Sequence, residues 1–162
     1  MRKMTIIGLV LMGSFSIYAA TSTLTSPNQD VKANISIKES ASGLKVTIHA
    51  TGLKPNSFHG IHVHENGLCE GPTFESAGEH FNPHKKAHGG PKHIERHLGD
   101  WGNLKSNKKG VAHSELFFKG IPTEEVQLLV GKSVIIHGKA DDLATQPSGA
   151  SGERIACGII NL

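Results

Sequence analysis

Residues 67–92 cannot be a regular element. Gly67, Gly71, Pro72, Gly78, Pro83, Gly89, Gly90 and Pro91 punctuate them, and no helical or strand apolar period survives there. A loop of that length inside a compact domain is uncommon unless something ties it down. The surrounding chain supplies candidate ties. Eight of the 11 histidines (His59, His62, His64, His80, His84, His88, His93 and His97) fall within the 42 residues from His59 to Asp100. Average composition would place roughly one there. Imidazole is the commonest metal-ligating side chain and titrates near neutrality, so metal binding is the first chemistry to test.

The rest of the chain reads as strands. Val31, Ala33, Ile35 and Ile37 alternate with Lys32, Asn34, Ser36 and Lys38, and Leu44, Val46 and Ile48 alternate again. Both patterns mark half-buried strands. Phe58 to Asn66, Asp100 to Leu104, Val111 to Phe118, Ser133 to His137 and Ile155 to Leu162 are further strands, and Ser22 to Leu24 starts a short one. Pro122 to Glu125 has the composition of one helical turn. Lys139 to Glu153 is a second long loop. With 5% aromatic residues and 19 glycines, about eight short strands predict an all-β antiparallel sandwich or flattened barrel in one domain.

Residues 1–20 read as an export signal, with Arg2 and Lys3, an apolar run from Ile6 to Met12, and small residues ending at Ala19-Ala20. The run is too short and interrupted to span a membrane, and no cysteine follows it to carry a lipid anchor. The domain is therefore expected over residues 21–162, in the periplasm or secreted. Without Arg2 and Lys3 the formal balance is 15 cations against 14 anions, or +1. That near-neutrality gives no support for a nucleic-acid or membrane-surface partner. Cys69 and Cys157 are the two cysteines. In an exported protein they are expected to pair, and in a cytoplasmic one they would be two buried thiols.

His62 and His64 lie at i and i+2 of a strand, so both imidazoles point to one face. His80, His88, His97 and Asp100 offer three nitrogens and an oxygen, a set suited to zinc. His137, far off in sequence, would join His62 and His64 in an all-nitrogen site suited to copper. His49, His84, His93 and His113 match no ligand position and read as solvated or structural.

Six motifs then bear a family likeness, in order and near the family's spacing: His62-Val-His64-Glu65; Ser76-Ala-Gly-Glu-His80-Phe-Asn-Pro83; His88-Gly-Gly-Pro-Lys92; Glu95-Arg-His97-Leu-Gly-Asp100; His137-Gly-Lys-Ala-Asp141-Asp142; and Gly152-Glu-Arg154-Ile-Ala-Cys157-Gly158. Together they resemble the copper/zinc superoxide dismutase family over almost the whole chain after residue 20.

The resemblance implies an eight-stranded Greek-key barrel of immunoglobulin-like sandwich type with two long functional loops. It implies copper on His62, His64, His80 and His137, and zinc on His80, His88, His97 and Asp100. His80 would bridge the two metals. Asp141 would link His62 to His88 behind the ligands, and Cys69 would pair with Cys157. The implied activity is dismutation of superoxide to oxygen and hydrogen peroxide, with Arg154 docking the anion and His80 handling a proton. The rival reading is a copper/zinc-binding protein of the same fold without dismutase activity, which would be expected to lack a copper ligand or the arginine. The Lys139–Arg154 stretch is shorter than in the animal cytosolic form and lacks most of its charges. That leaves Lys85, Lys86, Lys92 and Lys139 as cations for steering. Cys69 and Gln146-Pro147 resemble bacterial exported members, while the zinc loop resembles eukaryotic ones. The mixture implies either a homodimer or a monomer.

Overall fold

The computed structural model describes residues 19–40 and 42–162. The export-signal reading falls outside them except for Ala19 and Ala20, which already lie in a strand. Eight strands follow in order: β1 (Ala19–Thr25), β2 (Lys32–Ser40), β3 (Gly43–Thr51), β4 (Phe58–His64), β5 (Asp100–Lys105), β6 (Ala112–Lys119), β7 (Ser133–His137) and β8 (Arg154–Ile159). One short helix, α1 (Thr123–Leu128), and a single 3₁₀ turn at Glu75–Ala77 complete the regular elements among the described residues. Among the described residues no helix is long and apolar enough to cross a membrane.

All strand pairs are antiparallel, in the order β5-β4-β7-β8-β1-β2-β3-β6. The end strands β5 and β6 lie against each other, so the sheet curls nearly to closure and leaves little exposed edge. The two crossovers, β3 to β4 and β6 to β7, give the Greek-key order.

Alternation builds the first half of the barrel. Ala33, Ile35 and Ile37 of β2 point inward, as do Leu44, Val46, Ile48 and Ala50 of β3. The register puts Ile35 opposite Ile48 and Ile37 opposite Val46. Each such Ile or Leu contributes about 1.5–3 kcal/mol by leaving water. β1 is longer than the Ser22–Leu24 run suggests. Ala20, Ser22 and Leu24 are its inward residues, and two of the three are too small or polar to show as a hydrophobic period.

The other half differs, because β4 and β7 are buried on both faces. Ile61, Val63, Val134 and Ile136 enter the main core. The opposite face of the same strands carries His62, His64, Ile135 and His137, all buried. What covers that face is loop: residues 65–99 and 138–153. Cys69 bonds to Cys157 with Cα atoms 5.6 Å apart, fastening the first loop to β8. The bridge packs with Phe74, Ala77 and Ile135 in a small second core beneath that loop.

Candidate metal centre

The buried loop-side face is polar at its middle, and that needs a reason. β4 delivers His62 and His64, and β7 delivers His137 at its last residue. His80 comes from the first loop, which runs beside β4 there: Phe81 N donates to Val63 O at 2.8 Å and Glu65 N to Glu79 O at 2.9 Å. Gly99 lies against the same segment, and a Cβ on it would collide with the Val63 carbonyl. A glycine is thus what lets the chain approach β4 before Asp100 starts β5.

Two groups of four potential ligands result: His62, His64, His80 and His137; and His80, His88, His97 and Asp100. Within each group one ligand atom per residue lies within 4.8 Å of the others, and all seven residues are buried. In the second group, Asp100 Oδ1 lies 2.9 Å from His80 Nδ1, 3.0 Å from His88 Nδ1 and 3.2 Å from His97 Nδ1. Four ligands on a tetrahedron with bonds of about 2.0 Å would stand about 3.3 Å apart. The observed spacing fits that figure. The other carboxylate oxygen, Oδ2, accepts from the backbone N–H groups of Gly89 and His97, each at 3.0 Å. Asp100 is thereby fixed in place.

The first group is an all-imidazole pocket. His62 Nδ1, His64 Nε2, His80 Nε2 and His137 Nε2 are buried with no hydrogen-bond partner among the described residues. Such atoms are costly to bury unless something ligates them. The opposite ring nitrogens are all tied. His62 Nε2 donates to Asp141 Oδ2 at 2.8 Å, His64 Nδ1 to Gly78 O at 2.9 Å, and His137 Nδ1 to Gly152 O at 3.1 Å. Those bonds place the N–H on the far side of each ring and leave the lone pair facing the pocket.

Electrostatics point the same way. Burial lowers His62 to about 4, His64 to about 2 and His137 to about 3, so all three rings are neutral ligands at neutral pH. Burial also works against the charge on His88, but its contacts with Asp100 and Asp141 outweigh burial and raise it to about 9. For Asp100 and Asp141, burial opposes ionisation. Hydrogen bonds from the surrounding histidines win, and both carboxyls fall well below the ordinary range.

Asp141 joins the two groups from behind, through Oδ2 to His62 and Oδ1 to His88 Nε2 at 2.9 Å. Its backbone is clamped by Asn103 of β5, in a two-way pair of 2.8 Å bonds. Gln146 grips His88 likewise: His88 N donates to its Oε1 at 2.7 Å, and its Nε2 donates to His88 O at 3.0 Å. Gly149 has φ of 67°, and a Cβ there would strike Asp141 Oδ1. Asn103, Gln146 and Gly149 carry no sequence signal of these roles, because each acts through a neighbour distant in the chain.

Arg154 is half-buried beside the first group. Its Nη1 donates to Phe74 O at 2.8 Å and its Nη2 to Gly78 O at 2.7 Å. The Gly78 carbonyl therefore holds both Arg154 and His64. Arg154 lines an open recess of about 350 Å³ with Pro72, Thr73, Glu75, Gly152 and Glu153. His59, one turn of pattern before the ligands, is buried and donates from Nδ1 to the His137 carbonyl at 2.8 Å. Of the four lysines expected to be available for steering, Lys86 is paired with Glu95 at 3.2 Å. The stem of Lys139 lies over Gly152, at the rim of the recess.

Fold and donor groups together define a β-barrel with two adjoining groups of potential metal ligands that have His80 in common. The model of the family described as copper/zinc superoxide dismutase matches residues 31–160. The chain is 44% identical over 133 residues to a Cu-Zn superoxide dismutase of Yarrowia lipolytica, covering 77% of this chain and 85% of the relative. It is 35% identical over 158 residues to Cu-Zn superoxide dismutase 2 of Aquifex aeolicus, covering 94% and 92%. A crystal structure of a double mutant of a SOD-like protein from Bacillus subtilis superimposes with TM-score 0.77 at 36% identity, covering 88% of this chain and 97% of that one. The chain belongs to the copper/zinc superoxide dismutase family: it is an enzyme that dismutes superoxide, and its cofactors are copper and zinc.

Proposed function

We propose that His62, His64, His80 and His137 hold the copper, that His80, His88, His97 and Asp100 hold the zinc, and that His80 bridges them. One observation carries this reading. His80 Nδ1 contacts Asp100 Oδ1 at 2.9 Å while its Nε2 stays buried and unpartnered, so one ring faces both donor groups. An all-imidazole set suits copper, and three imidazoles with a carboxylate suit zinc.

Copper, when bound, supplies the one-electron steps that oxidise one superoxide to oxygen and reduce the next to peroxide. The chain's own residues do the remainder. Arg154 stays cationic near neutral pH. Its fork is braced on two carbonyls, so its charge is presented at the recess as a docking point for a small anion. His80 would supply one of the two protons that the second superoxide needs and solvent the other, so that two superoxide ions and two protons give one oxygen and one hydrogen peroxide. Asp141 keeps His62 and His88 in the ligating tautomer. The loops bury the residues of both groups.

We further propose that the enzyme works outside the cytoplasm. The signal-like residues 1–20 and the Cys69–Cys157 disulfide support an oxidising compartment. Metal analysis and dismutation assays on one purified sample test the site. About one copper and one zinc per chain are expected, with activity lost on copper removal and regained on its return. His62→Ala should abolish activity while zinc is retained. Zinc binding with no activity after copper loading would overturn the copper assignment.

A further inference from the structure

Outside the buried centre, two more histidines stand side by side. His49 of β3 and His113 of β6 are direct partners in the strand register, and both are exposed. Directly opposed residues on one face of an antiparallel pair hold their Cβ atoms about 4.5–5.5 Å apart. Their ring centroids are 6.3 Å apart, with planes tilted by 58°. In the buried all-imidazole group, ring centroids stand 3.9 to 6.4 Å apart with planes tilted by 28° to 67°. There His62 and His64 stand 6.4 Å apart at 55°, and His80 and His137 stand 6.3 Å apart at 59°. The surface pair falls within that range, at its wide end.

We propose that His49 and His113 form a separate surface site for a divalent transition-metal ion, taking Cu(II) in preference to Zn(II). Among the described residues neither ring has a hydrogen bond that would hold it away from a metal. The backbone beneath them is fixed by the ladders to β2 and β6, so binding orders only side-chain rotamers. No third protein ligand is ready. Glu115, two residues along the same face of β6, is held by Lys45 at 2.9 Å, and the side-chain oxygen of Asn34, beside His49 on β2, accepts from Thr23 Oγ1 at 3.3 Å. Two imidazoles with water in the remaining positions make an open, exchangeable site, weaker than the buried groups. For such a nitrogen-donor site Cu(II) outranks Zn(II). The position is also distinct, because the buried ligands come from β4, β5, β7 and the long loops, on the other half of the barrel.

Cu(II) titrated into protein already carrying one copper and one zinc per chain tests this. A further Cu(II) signal in electron paramagnetic resonance is expected. The His49 and His113 imidazole resonances should broaden before those of His84 or His93. His49→Ala and His113→Ala should each weaken the added copper by about tenfold or more, since each removes half of a two-point attachment. His84→Ala should leave it unchanged. Both altered side chains point to water, and fluorescence of the buried Trp101 confirms that the variants fold. The proposal fails if no further copper binds, if all exposed histidines broaden together, or if either variant binds the added copper as the unaltered chain does.

Discussion

Asp141→Ala should loosen both metal groups from a single position, and the zinc group more. The carboxylate accepts His62 Nε2–H on Oδ2 at 2.8 Å and His88 Nε2–H on Oδ1 at 2.9 Å. Each bond keeps the proton away from the nitrogen that must ligate. Without the acceptor, either ring can shift its proton to Nδ1 and lose its lone pair there. The two rings differ in what else holds them. His62 sits on β4 between paired strands, whereas His88 sits in a loop and keeps the Gln146 clamp and its contact with Asp100. Removing the oriented acceptor behind a ligating imidazole costs about 10–100-fold in metal affinity, or roughly 1.4–2.7 kcal/mol. Zinc should weaken toward the upper end and copper toward the lower. Competition against a chelator of known affinity, run for each metal on refolded metal-free protein, reads both numbers. Zinc affinity within about threefold of the unaltered chain, or copper falling while zinc holds, would refute the tautomer argument.

Arg154→Ala should lower the dismutation rate about tenfold or more and flatten its dependence on ionic strength, as expected for loss of a docking cation. Arg154→Lys should fall between, and an unchanged salt slope in the Ala variant would remove Arg154 from anion docking. Reducing the Cys69–Cys157 bond, which closes a separation of 88 residues, should lower unfolding free energy by about 4–5 kcal/mol. Urea unfolding followed by Trp101 fluorescence measures this, and a loss under about 1 kcal/mol would contradict it. Metal-free protein should be most stable near neutral pH. His62 and His137, held at about 4 and 3, stay neutral in the fold while the unfolded chain takes up protons below about 6.5, so stability falls with pH. His88, raised to about 9, contributes fully below about 6.5, and that contribution is lost as pH rises through 9. Unfolding free energies at pH 4.5, 6.5 and 9 check both limbs, and stability rising toward pH 4.5 would reverse the sign.

The strands were legible where burial is one-sided. β2 and β3 alternate because one face meets the core and the other meets water, and the period survives in the sequence. β7 was legible for the opposite reason, as a short apolar run ending in His137. β1 was only half visible, since Ala20 and Ser22 fill narrow space without marking themselves as apolar. α1 runs three residues beyond the expected Pro122–Glu125 turn, because Val126 is drawn into the core, a tertiary gain with no local cap to announce it. The histidines that gather in the two donor groups were legible through their spacing on strand and loop, together with family likeness.

What was hidden is the support beneath the ligands, and the reason is physical. A ligand must be a particular side chain, so its identity shows in the sequence. The acceptors that orient it are largely backbone carbonyls, such as Gly78 O for His64 and Gly152 O for His137, and any residue can supply a carbonyl. The same holds for Arg154, whose direction is set by Phe74 O and Gly78 O. Because Gly78 O serves both His64 and Arg154, the loop segment that positions one proposed copper ligand also positions the proposed docking cation. The disulfide at Cys69 anchors that segment to β8 three residues beyond Arg154. Loop, ligand and cation therefore form one mechanical unit. A change that loosens the loop should displace the docking charge and His64 together, while leaving His62 and His137 where their strands hold them.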